Sequence, residues 1–399
     1  MSNKIGSKKK LSIYEKIFGL KPLINASGTQ TNLGGSLMPQ VCIDAMNEAA
    51  KHFVDMHKLL EKAGEEIAKI CNVESAYITS GAGAGMVLAA AACMTGNDRE
   101  KMDKLPNSEG MRNEIVVQKG NETGFTRLFR NAGAKLIEVG GSKVILRGYG
   151  TKLRALGVLP EDIKHAINEK TCAIAHTISQ LSVNIGTVPL DKVISIAHKH
   201  NLPIIVDAAA QIPPFERIHE YTDMGADLVV FSGGKSLHGP NDTGLILGRK
   251  DLIEACAMQA NPNMGIGRPF KVSKEQIVGL VVAIKWYKEW FNNEIVTKRK
   301  VKAEYIIKQF KDYPHIVPFL IFPDETDKPC PKVQIILDEE ALGIKATDVV
   351  KILQKGDPPI YIGDNYTNVG VIILNPLFLE DDEEKIVCER IKKIFNNLN

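Results

Sequence analysis

Residues Phe231 to Gly244 read F-S-G-G-K-S-L-H-G-P-N-D-T-G, a single lysine set among residues that turn the backbone tightly. Lys235 follows Asp227-Leu-Val-Val-Phe231, a short apolar run with the pattern of a buried strand. Gly233, Gly234, Gly239 and Pro240 break regular structure around it and let the main chain approach a ligand closely. Upstream, Leu202-Pro-Ile-Ile-Val-Asp207 ends a second apolar run on a carboxylate. A buried carboxylate without a partner is costly. Each feature alone has a plain alternative, because a strand-ending aspartate often caps a helix and a lysine in a glycine loop is commonly solvated. Taken together they ask for a cationic ligand between them.

Further upstream, Ser75-Ala-Tyr-Ile-Thr79 reads as a strand that runs into Ser80-Gly-Ala-Gly-Ala-Gly85 and an alanine-rich helix. A strand, a glycine-rich turn and a helix start offer backbone N–H groups and a helix dipole to a phosphate, although the same residues also suit a core helix with a flexible cap. Lys235, Asp207 and this turn jointly fit pyridoxal phosphate. A lysine forms a Schiff base with its aldehyde, and an aspartate holds the pyridine nitrogen protonated so that the ring withdraws electrons.

The rest of the chain suits this reading. It has 399 residues, 44% hydrophobic and 24% charged, enough for a large core and two or three domains. Fifty basic against 47 acidic residues is too balanced to imply a nucleic-acid or anionic-membrane partner. The long uncharged run from Ile78 is interrupted by Gly81, Gly83 and Gly85, which makes it a poor membrane span. No apolar core follows the polar residues Met1 to Lys10, so a cytoplasmic location is expected. Seven scattered cysteines without a CxxC pair read as reduced thiols and predict no metal site.

Residues 1–24 read as an N-terminal arm with a short amphipathic helix near Leu11 to Phe18, suited to lie across a partner subunit. Ile24 to Ser36 is a polar, glycine-rich loop that lines something. From 25 to 272, strand and helix patterns alternate, which predicts a mostly parallel sheet covered on both faces, with ligands at the carboxyl ends of its strands. From 273 to 399 the pattern changes. Ser273 and Gln276 form a capping box for a helix running to about Phe310 that bridges two domains, followed by strands at Val333–Leu337, Ile360–Ile362 and Val369–Leu374 of a smaller α+β domain.

Five stretches now stand in order: INASGTQTNLGGSLMP from Ile24, TSGAGAGMVLAAAACMTG from Thr79, PIIVDAAAQIPP from Pro203, FSGGKSLHGPNDTGLILGR from Phe231 and GIGRPFKVSKEQIVGL from Gly265. Together they resemble the selenocysteine-synthase-like (SelA-like) branch of fold type I pyridoxal phosphate enzymes, over residues 22 to about 285. Within the branch the chain is most similar to the D-glucosaminate-6-phosphate ammonia-lyase group. The bacterial seryl-tRNA selenium transferases usually carry an additional N-terminal domain, whereas here the first motif starts at Ile24, and Gly35 stands where those transferases tend to have arginine.

The resemblance implies an aspartate aminotransferase-like large domain with a seven-stranded sheet and a homodimer or higher homo-oligomer. It places the cofactor on Lys235, the pyridinium partner at Asp207 and Ala209 against the ring. Phosphate contacts are expected from Ser80, Gly81, Ala82 and Ser232, with Thr243 reaching from a second subunit. Arg268 and Lys271 are the implied anchors for an anionic amino acid, with Asn32 a further substrate contact. Where related enzymes often stack a histidine or aromatic on the ring, this chain has Asn121. The expected reaction is α-proton removal by Lys235 and β-elimination to a 2-oxo acid and ammonia. A selenium transferase, a racemase or an aldolase of the same fold is the alternative. His238 could assist the leaving group, or serve only as a loop histidine with a structural partner.

Overall fold

The computed structural model describes residues 11–121, 123–148, 151–178 and 186–396, with the backbone alone in 142–148 and 151–156. They form two compact units, Gly34–Phe291 and the described residues on either side of it. These compact units divide at 33/34 and 291/292, whereas the sequence pattern changes at 24/25 and 272/273.

Strand β1 (Ile24–Ala26) belongs to the second unit. The sheet of the Gly34–Phe291 unit is built from β2 (Ser75–Thr79), β3 (Glu114–Gln118) and β4 (Lys135–Val139), then, beyond the antiparallel hairpin β5 (Ser142–Gly148) and β6 (Thr151–Gly157), from β7 (Thr171–Thr177), β8 (Ile204–Asp207), β9 (Leu228–Ser232) and β10 (Gly244–Gly248). Its order is β2-β10-β9-β8-β7-β3-β4, parallel except for β10, which runs antiparallel to both its neighbours. The mostly parallel pairing is that anticipated from the alternating pattern, and the seven strands are those the resemblance implies. The central strands read as unbroken apolar runs because helices cover both faces.

The helix Ala82–Thr95 shows why small residues matter here. It is apolar all round, and its residues from Ala84 to Ala92 are buried. A Cβ on Gly85 would lie 2.9 Å from Val230 Cγ1, so glycine lets the helix sit close against β9. A Cβ on Gly244 would lie 2.5 Å from the carbonyl carbon of Gly81, which packs the start of β10 against the turn that opens this helix.

The second unit holds a three-stranded antiparallel sheet of β11 (Ile316–Ile321), β12 (Lys332–Leu337) and β14 (Val371–Leu374), and a parallel pair of β1 with β13 (Ile360–Ile362). Helices Asn293–Phe310, Ala346–Gln354 and Glu383–Asn396 contribute Ile306, Phe310, Leu353, Val387, Ile391 and Phe395 to its core. It is the smaller α+β unit expected from the sequence.

Two expectations are corrected. The helix from Ser273 to Phe310 is two helices, Lys274–Trp290 and Asn293–Phe310. Phe291 is extended, and the Asn292 side chain accepts hydrogen bonds from the N–H groups of Glu294 and Ile295, so an N-cap restarts the helix where continuous apolar spacing hides the break. The strand expected from Val369 begins at Val371, after a 3₁₀ turn closed by left-handed Gly370.

Candidate active site

Thr79, Asp207 and Ser232 are the last residues of β2, β8 and β9. Gly244, the first residue of β10, pairs with both Thr79 and Ser232. The Ser80-Gly81-Ala82 turn, the Asp207 carboxylate and the lysine loop therefore leave the same edge of the sheet. The loop from Gly233 to Thr243 closes on itself: Gly233 N–H donates to the Thr243 carbonyl at 2.8 Å, and Gly239 N–H to the Gly233 carbonyl at 2.9 Å. A Cβ on Gly234 would lie 2.2 Å from Asn241 Cα, so close main-chain packing requires glycine there.

Asp207 is buried, and its Oδ1 accepts one backbone hydrogen bond, from Ala209 N–H at 3.1 Å. Burial raises its pKa, while the Ala209 N–H and the charge of Lys235 pull it back down. A carboxylate so placed is held ionised by an added positive group. At the other end of the site, the helix Ala82–Thr95 starts from Gly81 at φ 86° with no side-chain cap. Its first N–H groups lack intrahelical partners, and a Cβ on Gly81 would meet nothing within 4 Å. An anion fits that position. A pyridinium nitrogen for Asp207, an aldehyde for Lys235 and a phosphate for Gly81 and Ala82 are the three functions pyridoxal phosphate brings, and the residues fit it.

Ala209, Ser232 and Lys235 are half-buried at this edge, as are Ser80 and Ala82. Thr243 is fully buried and donates its hydroxyl to the Pro240 carbonyl at 2.7 Å. Asn121 is buried at the end of the 3₁₀ turn Lys119–Asn121 after β3. Arg268 is half-buried and Lys271 exposed on the loop that follows the Ala260–Gly267 bridge. Asn32 is exposed in the turn Thr31–Leu33 and belongs to the second unit.

Sequence reasoning missed a buried polar pair at the same edge. Gln118 ends β3, and His176 is the penultimate residue of β7, next to the Thr177–Asp207 pair. Gln118 Oε1 accepts from Val188 N–H at 2.7 Å, and its Nε2 donates to the Val188 carbonyl at 3.2 Å and to His176 Nδ1 at 3.3 Å. That amide orientation makes His176 Nδ1 an acceptor and puts the imidazole proton on Nε2. Burial pushes the His176 pKa down to about 4. The signal was available in principle, since both side chains end apolar runs as Asp207 does.

A mostly parallel sheet whose carboxyl edge carries a lysine, a buried aspartate and an uncapped helix start defines a fold type I pyridoxal phosphate enzyme. The aminotransferase class-V family model matches residues 151–355. D-glucosaminate-6-phosphate ammonia lyase of Salmonella typhimurium is 33% identical over 387 residues, covering 96% of this chain and 98% of that protein. A solved D-glucosaminate-6-phosphate ammonia-lyase structure superposes with a TM-score of 0.81 at 30% identity, covering 98% of this chain and all of that one. A 5'-C-glycyluridine monooxygenase-decarboxylase of a Streptomyces species is 30% identical, covering 94% of this chain and 90% of that protein. An L-seryl-tRNA(Sec) selenium transferase of Nitratidesulfovibrio vulgaris is 28% identical, covering 70% of this chain and 59% of that protein. The chain belongs to the class-V aminotransferase family, in its SelA-like branch, and its cofactor is pyridoxal 5'-phosphate. Among the described residues, no helix is long and apolar enough to cross a membrane.

Asp207→Asn is expected to bind the cofactor and fold normally but to lose roughly 10²-fold or more in turnover, as removal of one positioned electrostatic group does elsewhere. Unchanged turnover would assign the ring nitrogen to another group.

The His176 imidazole titrates near 4 when folded against an ordinary value of 6.5, so the unfolded chain binds more protons between those pH values. Stability from this group is complete above about pH 6.5 and is lost as the pH falls toward 4, on the order of 3 kcal/mol in all. In urea unfolding followed from pH 7 to 4, His176→Asn should show a shallower loss of stability than the wild type. An equally steep loss would place the titrating group elsewhere.

Proposed function

We propose that the protein is a lyase that removes the α-proton of a small anionic amino acid and eliminates a β-hydroxyl, yielding a 2-oxo acid and ammonia. The observation that carries this reading is Lys235 beside buried Asp207, next to the uncapped start of Ala82–Thr95. Bound pyridoxal phosphate supplies an electron sink that acidifies the α-hydrogen of an attached amino acid.

Asp207 holds negative charge against the ring nitrogen, and the N–H groups at Gly81 and Ala82, with Ser232, hold the phosphate. Lys235 Nζ takes the α-proton as general base and returns a proton to the departing oxygen, so that water leaves from the β-carbon. The unsaturated amine that is released takes up water and splits into 2-oxo acid and ammonia. Arg268 presents a planar, bidentate donor to a carboxylate or phosphate, and Lys271 adds a second charge on the same loop. Similarity to D-glucosaminate-6-phosphate ammonia lyase along nearly the whole of both chains supports a sugar-derived amino acid bearing a distal phosphate as the substrate.

We also infer a cytoplasmic homodimer. All seven cysteines are free thiols, which suits a reducing compartment. The helix Ile13–Phe18 buries none of its residues, leaving Ile13, Tyr14, Ile17 and Phe18 as an apolar face that a second copy would cover.

Incubation of the holoenzyme with D-glucosaminate 6-phosphate should release 2-oxo acid and ammonia in equal amounts. Among plain and phosphorylated β-hydroxy amino acids, the anionic ones should be preferred, and Arg268→Ala should raise KM by roughly tenfold or more, the loss of one charged hydrogen bond. Turnover confined to aminoacylated tRNA, or an unaltered KM, would overturn the assignment. Sedimentation at assay concentration should give a dimer or larger assembly, and a fully active monomer would refute the inferred association.

A further inference from the structure

Behind the lysine loop, the segment Gly34–Met38 lies directly against residues 234–241. A Cβ on Gly35, at φ 78°, would fall 2.3 Å from both the Gly234 carbonyl oxygen and Asn241 Oδ1. Ser36 Oγ donates to the same Gly234 carbonyl at 3.1 Å. His238 meets the Leu37 carbonyl through Nδ1 at 2.9 Å, and because a carbonyl only accepts, Nδ1 carries the proton.

His238 is also a conformational outlier. Its φ is +57°, the left-handed region that a non-glycine residue enters at a cost. Its own N–H donates to the Lys235 carbonyl at 3.0 Å, closing the turn that begins at the lysine. The ring is buried against the helix Lys274–Trp290, edge-on to Trp286 and Trp290 at centroid distances of 5.6 and 5.4 Å and stacked on Tyr287 at 6.3 Å. A turn that needed only left-handed backbone would be met by glycine at less cost. Histidine instead ties the lysine turn to two separate segments.

We infer that His238 is a positioning residue for Lys235, acting through its hydrogen bond to Leu37. The bond fixes the lysine turn against the Gly34–Met38 segment, so that Nζ reaches the reacting carbon from one direction. The inference rests on Lys235 as the cofactor lysine. Loss of the bond leaves substrate capture intact and degrades the geometry of proton transfer, so it falls on kcat rather than KM.

Two variants separate the bond from the ring. H238N tolerates left-handed backbone and keeps an N–H donor, whereas H238F keeps an aromatic ring without one. In the holoenzyme, borohydride reduction and peptide mapping first locate the cofactor. A label on a lysine other than Lys235 removes the underlying reading, and this inference with it, before any variant is compared. With Lys235 labelled, H238F should lose about tenfold or more in kcat at nearly constant KM, and its visible absorbance should titrate at a shifted pH. H238N should stay within about threefold of wild type on both readouts, the difference expected when alignment is kept. The reverse order, or equal effects in two variants that melt alike, would overturn the proposal and leave the ring contacts as the whole role. Should H238F not fold, H238N alone decides: near-wild-type behaviour supports the tether, and a tenfold loss overturns it.

Discussion

A carboxylate buried at the carboxyl edge of a sheet is the constraint on which the site depends. Asp207 ends the central strand β8, beside β9 and β7, where little water reaches it. One backbone hydrogen bond and the nearby Lys235 charge do not offset its burial, since its pKa stays raised. A ligand with a protonated ring nitrogen removes the imbalance, and the same ligand's phosphate answers the helix start at Gly81, which has no side-chain cap. The two ends of the site are thus complementary in sign to the two ends of one molecule.

The lysine between them is held by a loop that is closed rather than merely short. Antiparallel β10 returns the chain next to β9, and main-chain contacts at Gly234 and Gly244, with the Thr243 and Leu280 side chains at Gly233, leave no room for side chains at these glycines. Glycine there serves close approach, while the one strained residue in the loop is a histidine. Flexibility is therefore a poor description of this glycine-rich segment.

Much of this was legible in the sequence, because local patterns encode it. A charged residue ending an apolar run, as at Asp207, marks a strand end, and glycines around Lys235 mark a tight turn. The capping box at Ser273 was read correctly because it spans only three residues. What escaped depended on partners far away in the chain. The five residues of β10 read as the tail of a loop until their pairing with both β2 and β9 is known. Gln118 and His176, 58 positions apart, form a pair only once β3 lies beside β7. The helix break at Phe291–Asn292 was hidden because apolar spacing continues through it, and the strand at Ile24–Ala26 was hidden because its partner lies near the other end of the chain.

That last pairing bears on the order in which the protein acquires its shape. β1 pairs in parallel with β13, and just before it Lys21 meets Asp357, 336 positions away. During synthesis the strand leaves the ribosome early and waits for nearly the entire chain before its partner exists. The residues Gly34–Phe291 meanwhile contain every strand of their own sheet and can complete it first. Closing so long a connection is entropically slow, so nascent Ile24–Ala26 spends that interval as an unpaired edge. Its three-residue length and the polar Asn25 limit what such an edge could capture from neighbouring nascent chains.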